Sequence, residues 1–130
     1  MTTLDVGLTA FRRRLAADLP TLDGRPEVAA YAAPPPNPTA PCYIVQPEAG
    51  YAIGKLTSCI APVAITVRCV PIAADNDDRY DEVDDMVEAV YRLAGCTIVS
   101  AIVAAREVAG IGLVVVADVD VAANVQMSNS

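Results

Sequence analysis

Six of the chain's ten prolines fall between Pro34 and Pro47, inside the stretch YAAPPPNPTAPCYIVQPEAGY that runs from Tyr31 to Tyr51. A proline has no N–H to give to a ladder, and its ring holds φ at about −65°, so this stretch can be neither a helix interior nor a central strand. It must be a stiff extended segment at the margin of whatever the rest of the chain builds. Two roles suit it: a rigid crossover between two strands, or a rim that presents a fixed surface to a neighbour at low entropic cost. No basic residue flanks the Pro35/Pro38 or Pro38/Pro41 pairs, which counts against a proline-rich ligand for a signalling domain.

The segments on either side alternate between two periods. Leu4, Leu8, Phe11 and Leu15 form one stripe at helical spacing and predict a helix over about Thr3–Asp18, capped by Thr3 and ended by Leu19-Pro20. Arg12, Arg13 and Arg14 cannot share a face of that helix and read as a solvated basic side. After a turn at Asp23-Gly24 comes a short extended piece, Glu27 to Ala32. Beyond the prolines, CYIVQP reads as a strand and EAGYAIGKLTS as a hairpin loop. VAITVRCVPI is the next strand, with Val63, Ile65, Val67 and Cys69 on one side and Ala64, Thr66, Arg68 and Val70 on the other. A second helix is predicted over about Asp78–Ala94, capped by Asp77 or Asp78 and stopped by Gly95. Its expected buried side is Tyr80, Val83, Val87, Val90, Tyr91 and Ala94.

Two strands follow, CTIVSAIVAAREV and LVVVADVDVAANV. In the second, Leu113, Val115, Ala117, Val119 and Val121 face the helices, while Val114, Val116, Asp118 and Asp120 face away. The order α-β-β-β-α-β-β predicts an α+β fold: an antiparallel sheet with two helices packed on one face and the other face open to a second copy. At 130 residues this is one domain, assigned to residues 1–123 with a polar tail at 124–130.

Composition narrows the possible functions. Charged residues make up 19% of the chain, against the ~25% usual in soluble domains, so some surface must be apolar, which favours an oligomer. Residues 1–65 carry five basic and five acidic side chains, and residues 66–130 carry four and eleven, so the second half holds the whole net charge of −7. An acidic half repels phosphate and argues against wrapping nucleic acid. The longest uncharged run, Leu93 to Ala105, is too short to cross a bilayer, and Arg12–Arg14 interrupt any signal-like core. The expectation is a cytosolic setting without membrane contact. Cys42, Cys69, Cys59 and Cys96 lack a C-x-x-C pair and lie among apolar neighbours, which reads as core packing without disulfides.

Few catalytic arrangements survive inspection. There is no histidine, so Ser-His-Asp and Cys-His arrangements and histidine-containing zinc sites are excluded. Asp75 to Glu88 packs eight carboxylates into fourteen residues. Mapped onto a calcium loop from Asp75, it puts Arg79, Tyr80 and Met86 where a ligand, a glycine and a bidentate glutamate are needed. A capped helix start with a solvated acidic face explains the cluster. With no tryptophan and one phenylalanine, a sugar-stacking cleft is also unsupported. The reading is a binding protein, with neither catalytic residues nor a cofactor.

The run FRRRLAADLPTLDGRP, the proline segment ending PCYIVQPEAGY, the strand leading into VRCVPIAADNDDRYDEVDDMVEAV and the two last strands together resemble the tail terminator (tail completion) proteins of long-tailed bacteriophages, especially those of actinobacterial hosts. The likeness covers nearly the whole chain and rests on the order of segments more than on any one motif. It implies an α+β subunit of a virion neck, assembled in the host cytoplasm. Six copies form a ring on the head-proximal end of the tail, contact the major tail tube protein, stop its polymerisation and present a surface to a head-completion or stopper protein. DNA passes through the lumen of such a ring without specific binding. Residues expected at subunit or partner contacts are Pro35, Pro36 and Pro38 on the rim, Tyr51, Ile53 and Lys55 in the following loop, and Val114 and Val116 on the open sheet face. The alternatives are another neck component such as a head-closure protein, a cytosolic small-ligand binding module, and a hydrolase using Asp77, Asp81 or Asp85.

Overall fold

The computed structural model describes residues 7–45, 52–55, 59–73 and 75–127. The first helix, α1 (Leu8–Asp23), begins five residues later than its pattern predicts and continues through Pro20. Thr3 and Leu4 lie outside the described residues. The helical stripe itself extends further than expected, because Phe11, Leu15 and Leu19 are all buried. Proline at position 20 forfeits one helical hydrogen bond, but Leu19 anchors the same turn in the core and outweighs the local preference. Gly24, left-handed at φ 87°, ends the helix by donating its N–H to the Pro20 carbonyl.

The strands are β1 (Ala29–Tyr31), β2 (Cys42–Val45), β3 (Ala52–Ile53), β4 (Ile60–Val70), β5 (Cys96–Val108) and β6 (Gly112–Gln126), with α2 (Asn76–Tyr91) between β4 and β5. They form one sheet in the order β1-β2-β4-β6-β5, with β3 also pairing with β4. The α+β class and the succession of elements agree with the sequence pattern, apart from β3, a two-residue bridge inside the expected hairpin loop. All pairings are antiparallel except β1 with β2, where Ala29 lies beside Cys42 in a parallel register. A parallel neighbour requires the chain to cross back, and the proline-rich segment is that crossover.

One layer of helices covers one face of the sheet. Val63, Ile65, Val67 and Cys69 of β4 and Ala117, Val119 and Val121 of β6 meet Phe11, Leu15 and Leu19 of α1 and Val83, Met86, Ala89 and Val90 of α2. The buried side of α2 is therefore turned toward Met86. Val83 and Val90 are buried as predicted and Val87 is half-buried, but Tyr80, Tyr91 and Ala94 are exposed. The aromatic residues at the helix ends keep their polar tips in water, and the unbranched Met86 fills the middle. Asp75, two positions before the earlier of the two expected caps, caps α2 by accepting the Asp78 N–H at 2.9 Å.

Two sequence expectations fail at the periphery. Strand β6 continues through Gln126 and buries Val125, so the domain does not stop at residue 123. The Gln126 carbonyl accepts the Gly7 N–H at 2.7 Å and ties the strand end to the start of α1. Among the cysteines, Cys42 and Cys69 are buried and Cys96 is half-buried, whereas Cys59 is exposed in a turn at φ 63°. Burial pushes the Cys42 thiol up to about 12, and it raises Cys69 likewise, so both stay protonated and behave as small apolar groups.

Candidate interaction surfaces

The proline crossover is strapped down. Pro38 and Pro41 are buried, Pro35 is half-buried and Pro36 is exposed. The Tyr31 hydroxyl accepts the Thr39 N–H at 3.2 Å and braces the two ends of the segment against each other. At the far side, Gly110 in the β5–β6 turn stands at φ 81°, where an added Cβ would come within 3.1 Å of the Asn37 Cα and 3.3 Å of the Pro36 carbonyl. Gly110→Ala should therefore cost on the order of 1–2 kcal/mol in urea unfolding, since it combines a left-handed backbone with a clash against main chain. An unchanged midpoint would mean that the crossover does not rest on this turn.

The sheet face away from the helices is accordingly not open where the sequence placed its contact. Val116 is 1% exposed and forms a second small core with Cys42, Ile44, Val70 and Val108. Tyr31, Ala40 and the half-buried Val114 pack around it. Val116 and Pro38 are thus interior residues of the protomer, and neither offers surface to another copy. The cause is the crossover, which folds over one end of this face and supplies the cover that a second subunit was expected to provide.

The remaining contact candidates separate. Pro35, Pro36 and Val114 lie at the end of the sheet where β6 begins. Ile53 and Lys55 are exposed beside Val63 at the other end, roughly 20 Å away along β4. Tyr51 lies outside the described residues. The rim and the loop therefore do not make one patch.

Further along the same face is a polar ladder across β4, β6 and β5. Arg68, buried, donates from Nε to the Asp118 carboxylate at 2.7 Å and from its second amino group at 3.0 Å. Arg106 adds a weaker ion pair at 3.8 Å. Asp120, one step along, accepts from the Thr66 hydroxyl at 2.8 Å and the Ser100 hydroxyl at 3.2 Å. The sequence placed Arg68, Asp118 and Asp120 on this face, but only the register Arg68↔Asp118 and Thr66↔Asp120 reveals that they are partners.

A second polar knot joins the helical side. A cavity of about 430 Å³ is lined by Asp23, Arg25, Glu82, Asp85, Glu88 and Arg92. Arg25 bridges Asp23 at 2.8 Å and Glu82 at 2.7 Å. Glu82 also accepts the N–H groups of Ile72 and Ala73, fixing the β4–α2 connection, and the buried Tyr43 hydroxyl donates to Asp23. These carboxylates are committed to neighbours within the fold. Of the three carboxylates named for hydrolysis, Asp77 and Asp81 sit on the exposed face of α2 and only Asp85 borders the cavity. Among the described residues no three cysteine or carboxylate side chains converge on a point where a metal ion would sit.

Burial acts to raise the Asp23 carboxyl, but the hydrogen bonds from Arg25 and Tyr43 outweigh it and hold the group below the usual carboxylate range. A depressed folded value contributes stability above the unfolded value of about 3.9, and that contribution is lost as pH falls through the lower, folded one. Asp23→Asn should therefore flatten the loss of stability between roughly pH 5 and pH 3, read by denaturant midpoints. Parallel acid limbs for the two proteins would remove Asp23 from the account. Tyr43→Phe should cost about 1–2 kcal/mol by leaving an acceptor of Asp23 without its donor.

The surface that sequence reasoning missed is the outer edge of β5. Thirteen residues long, this strand pairs among the described residues with β6 on one side and with no strand on the other. Val99 is 66% exposed, Ile102 56% and Val103 40%, and Leu113 of the adjoining β6 is 72% exposed. Leu113 and the half-buried Val115 were expected beneath the helices, but the β5–β6 ribbon runs on past them. A register shift between Ile98 and Ser100 marks a bulge at Val99. The uncharged run Leu93–Ala105 was visible in the sequence, though nothing in it marked the strand as an edge. Compared with known proteins, the chain matches no family model and no curated sequence.

Proposed function

We propose that this protein is a structural virion subunit, a tail terminator that self-associates into a ring on the head-proximal end of a long-tailed phage tail. The observation that carries the reading is the apolar surface left over once the core is filled. Val99, Ile102 and Val103 of β5 and Leu113 of β6 are all exposed, spread along both faces of the β5–β6 ribbon, more apolar surface than a protein working alone has use for. The order of segments that resembles the tail terminators supplies the rest, since it belongs to a subunit that works by binding. In that role the exposed rim residue Pro36, with Ile53 and Lys55 at the opposite end of the sheet, offers two unlike surfaces. A closed ring needs such a pair, because head-to-tail contacts join different patches. The acidic exposed side of α2, with Asp77, Asp81, Asp84 and Glu88, suits a passage from which DNA must not be held back.

The test is direct imaging. Negative-stain images of the purified protein should contain rings, and its addition to polymerising tail tube protein should yield shorter tubes with density at one end. Tubes of unaltered length, together with a protein that does not sediment with them, would defeat the proposal.

A further inference from the structure

Among the described residues no strand pairs with the outer edge of β5, and a thirteen-residue apolar edge is an uncommon thing for a protein to leave in water, because its N–H and C=O groups template pairing with another chain. Natural edges are usually kept short, charged or bulged. Here no charge occurs from Thr97 to Ala105, and the irregularity at Val99 lies near one end. The opposite margin of the sheet is different: it consists of β1, three residues long, and β3, two residues long. We propose that the β5 edge pairs antiparallel with the β5 edge of a second copy of this chain about a twofold axis, joining two sheets into one.

Three observations select this occupant. The first is length, since only another β5 matches thirteen residues, and β1 or β3 of a neighbour would leave most of the edge bare. The second is charge. In an antiparallel register centred on Ile102, that residue lies opposite its own copy, Ala101 opposite Val103, and Ser100 opposite Ala104. The pairs keep each face consistent, because Ala101 and Val103 share the helix side through Val119 and Ala117, while Ser100, Ile102 and Ala104 share the other through Asp120, Asp118 and Val116. Beyond the bulge at Val99 the count shifts by one, so Arg106 falls opposite Thr97 and Glu107 opposite Cys96, and no like charges meet across the seam. The third is area. Val99, Ile102 and Val103 of β5 expose roughly 250 Å² of apolar surface, to which the strand backbone and the exposed Thr97, Ser100, Ala101 and Ala105 add, which sets the seam at the small end of specific interfaces.

The contact draws on the same exposed β5 residues, and on the same premise of self-association, as the proposed function. A twofold contact cannot by itself close a ring, so it is additional to the ring contacts and joins copies, or two rings, back to back. The full chain should sediment as a dimer or as an even-numbered assembly. Ile102→Lys and Ile102→Glu, each altering an exposed side chain, should keep the wild-type circular dichroism spectrum and so remain folded. Each alone should associate about 10-fold more weakly or worse, because like charges then face each other across the axis. Mixed in equal amounts they should recover the dimer, since opposite charges meet. A monomeric wild-type protein, an Ile102→Lys variant that associates as before, or a mixture no tighter than its components would each overturn the proposal. A variant that loses the dimer yet still caps tubes separates this contact from the terminator role, and tubes left uncapped by a dimeric wild-type protein would count against that role alone.

Discussion

Val116→Lys unfolds the protein or costs it roughly 4 kcal/mol or more, whereas Val114→Lys, two residues away on the same strand face, costs about 1 kcal/mol or less. The difference lies in the cover over the two positions. Val116 is sealed among Cys42, Ile44, Val70 and Val108 beneath the proline crossover, and an ammonium placed there has no water to meet, while Asp118, two residues along the same face, is already engaged by Arg68. Val114 is half-buried at the margin of the same cluster, where a lysine stem can lie along the surface and put its charge in solvent. Urea unfolding followed by circular dichroism reads both. Equal, small losses would mean that the crossover lifts away readily and that the second core contributes little.

Asp118→Ala is expected to cost about 3–5 kcal/mol, because it removes the carboxylate that accepts two hydrogen bonds from the Arg68 guanidinium, 5% exposed, in the middle of the sheet. Arg106 cannot compensate, since it carries the same charge. The attraction between Arg68 and Asp118 is not itself the source of that figure; most of it is the penalty for depriving a buried charge of its countercharge. Replacing both partners, as Arg68→Met with Asp118→Leu, should therefore recover most of the loss. A double variant as unstable as Asp118→Ala would show instead that the pair contributes through the ladder as a whole, by holding β4 and β6 in register.

Local signals and partner choice were legible to different degrees. The proline cluster fixed its own character, the alternation in β4 put Val63, Ile65 and Val67 on one side together, and the middle of β6 placed Ala117, Val119 and Val121 beneath the helices, where they are buried. These are statements about one strand and one face, which the two-residue period determines. Pro20 misled because a local rule about proline takes no account of Leu19 and of the core contact it makes. Tyr80 and Tyr91 misled for a related reason, since helical spacing alone does not say which turn of a stripe runs past the end of the sheet. Val116 was assigned to the correct face but to the wrong environment, for whether that face is covered depends on where the crossover travels. The β5 edge was hidden for the same cause: a strand's sequence does not state how many neighbours it has. The ladder of Arg68, Asp118, Thr66, Asp120 and Ser100 needed the cross-strand register, which no single segment contains.

Strand β6 follows β4 and β5 in the chain, yet it lies between them and pairs with both along most of its length. On a ribosome, therefore, β1, β2 and β4 emerge with the central seam of the sheet still missing, and α2 has only half a floor to rest on. The sheet closes in a single late event when residues 112–126 clear the exit tunnel, first by zipping back on β5 through the short turn and then by docking against β4. Until that moment the nascent chain carries two long greasy edges instead of one, and its exposure to chaperones should drop abruptly, not gradually, as this segment appears.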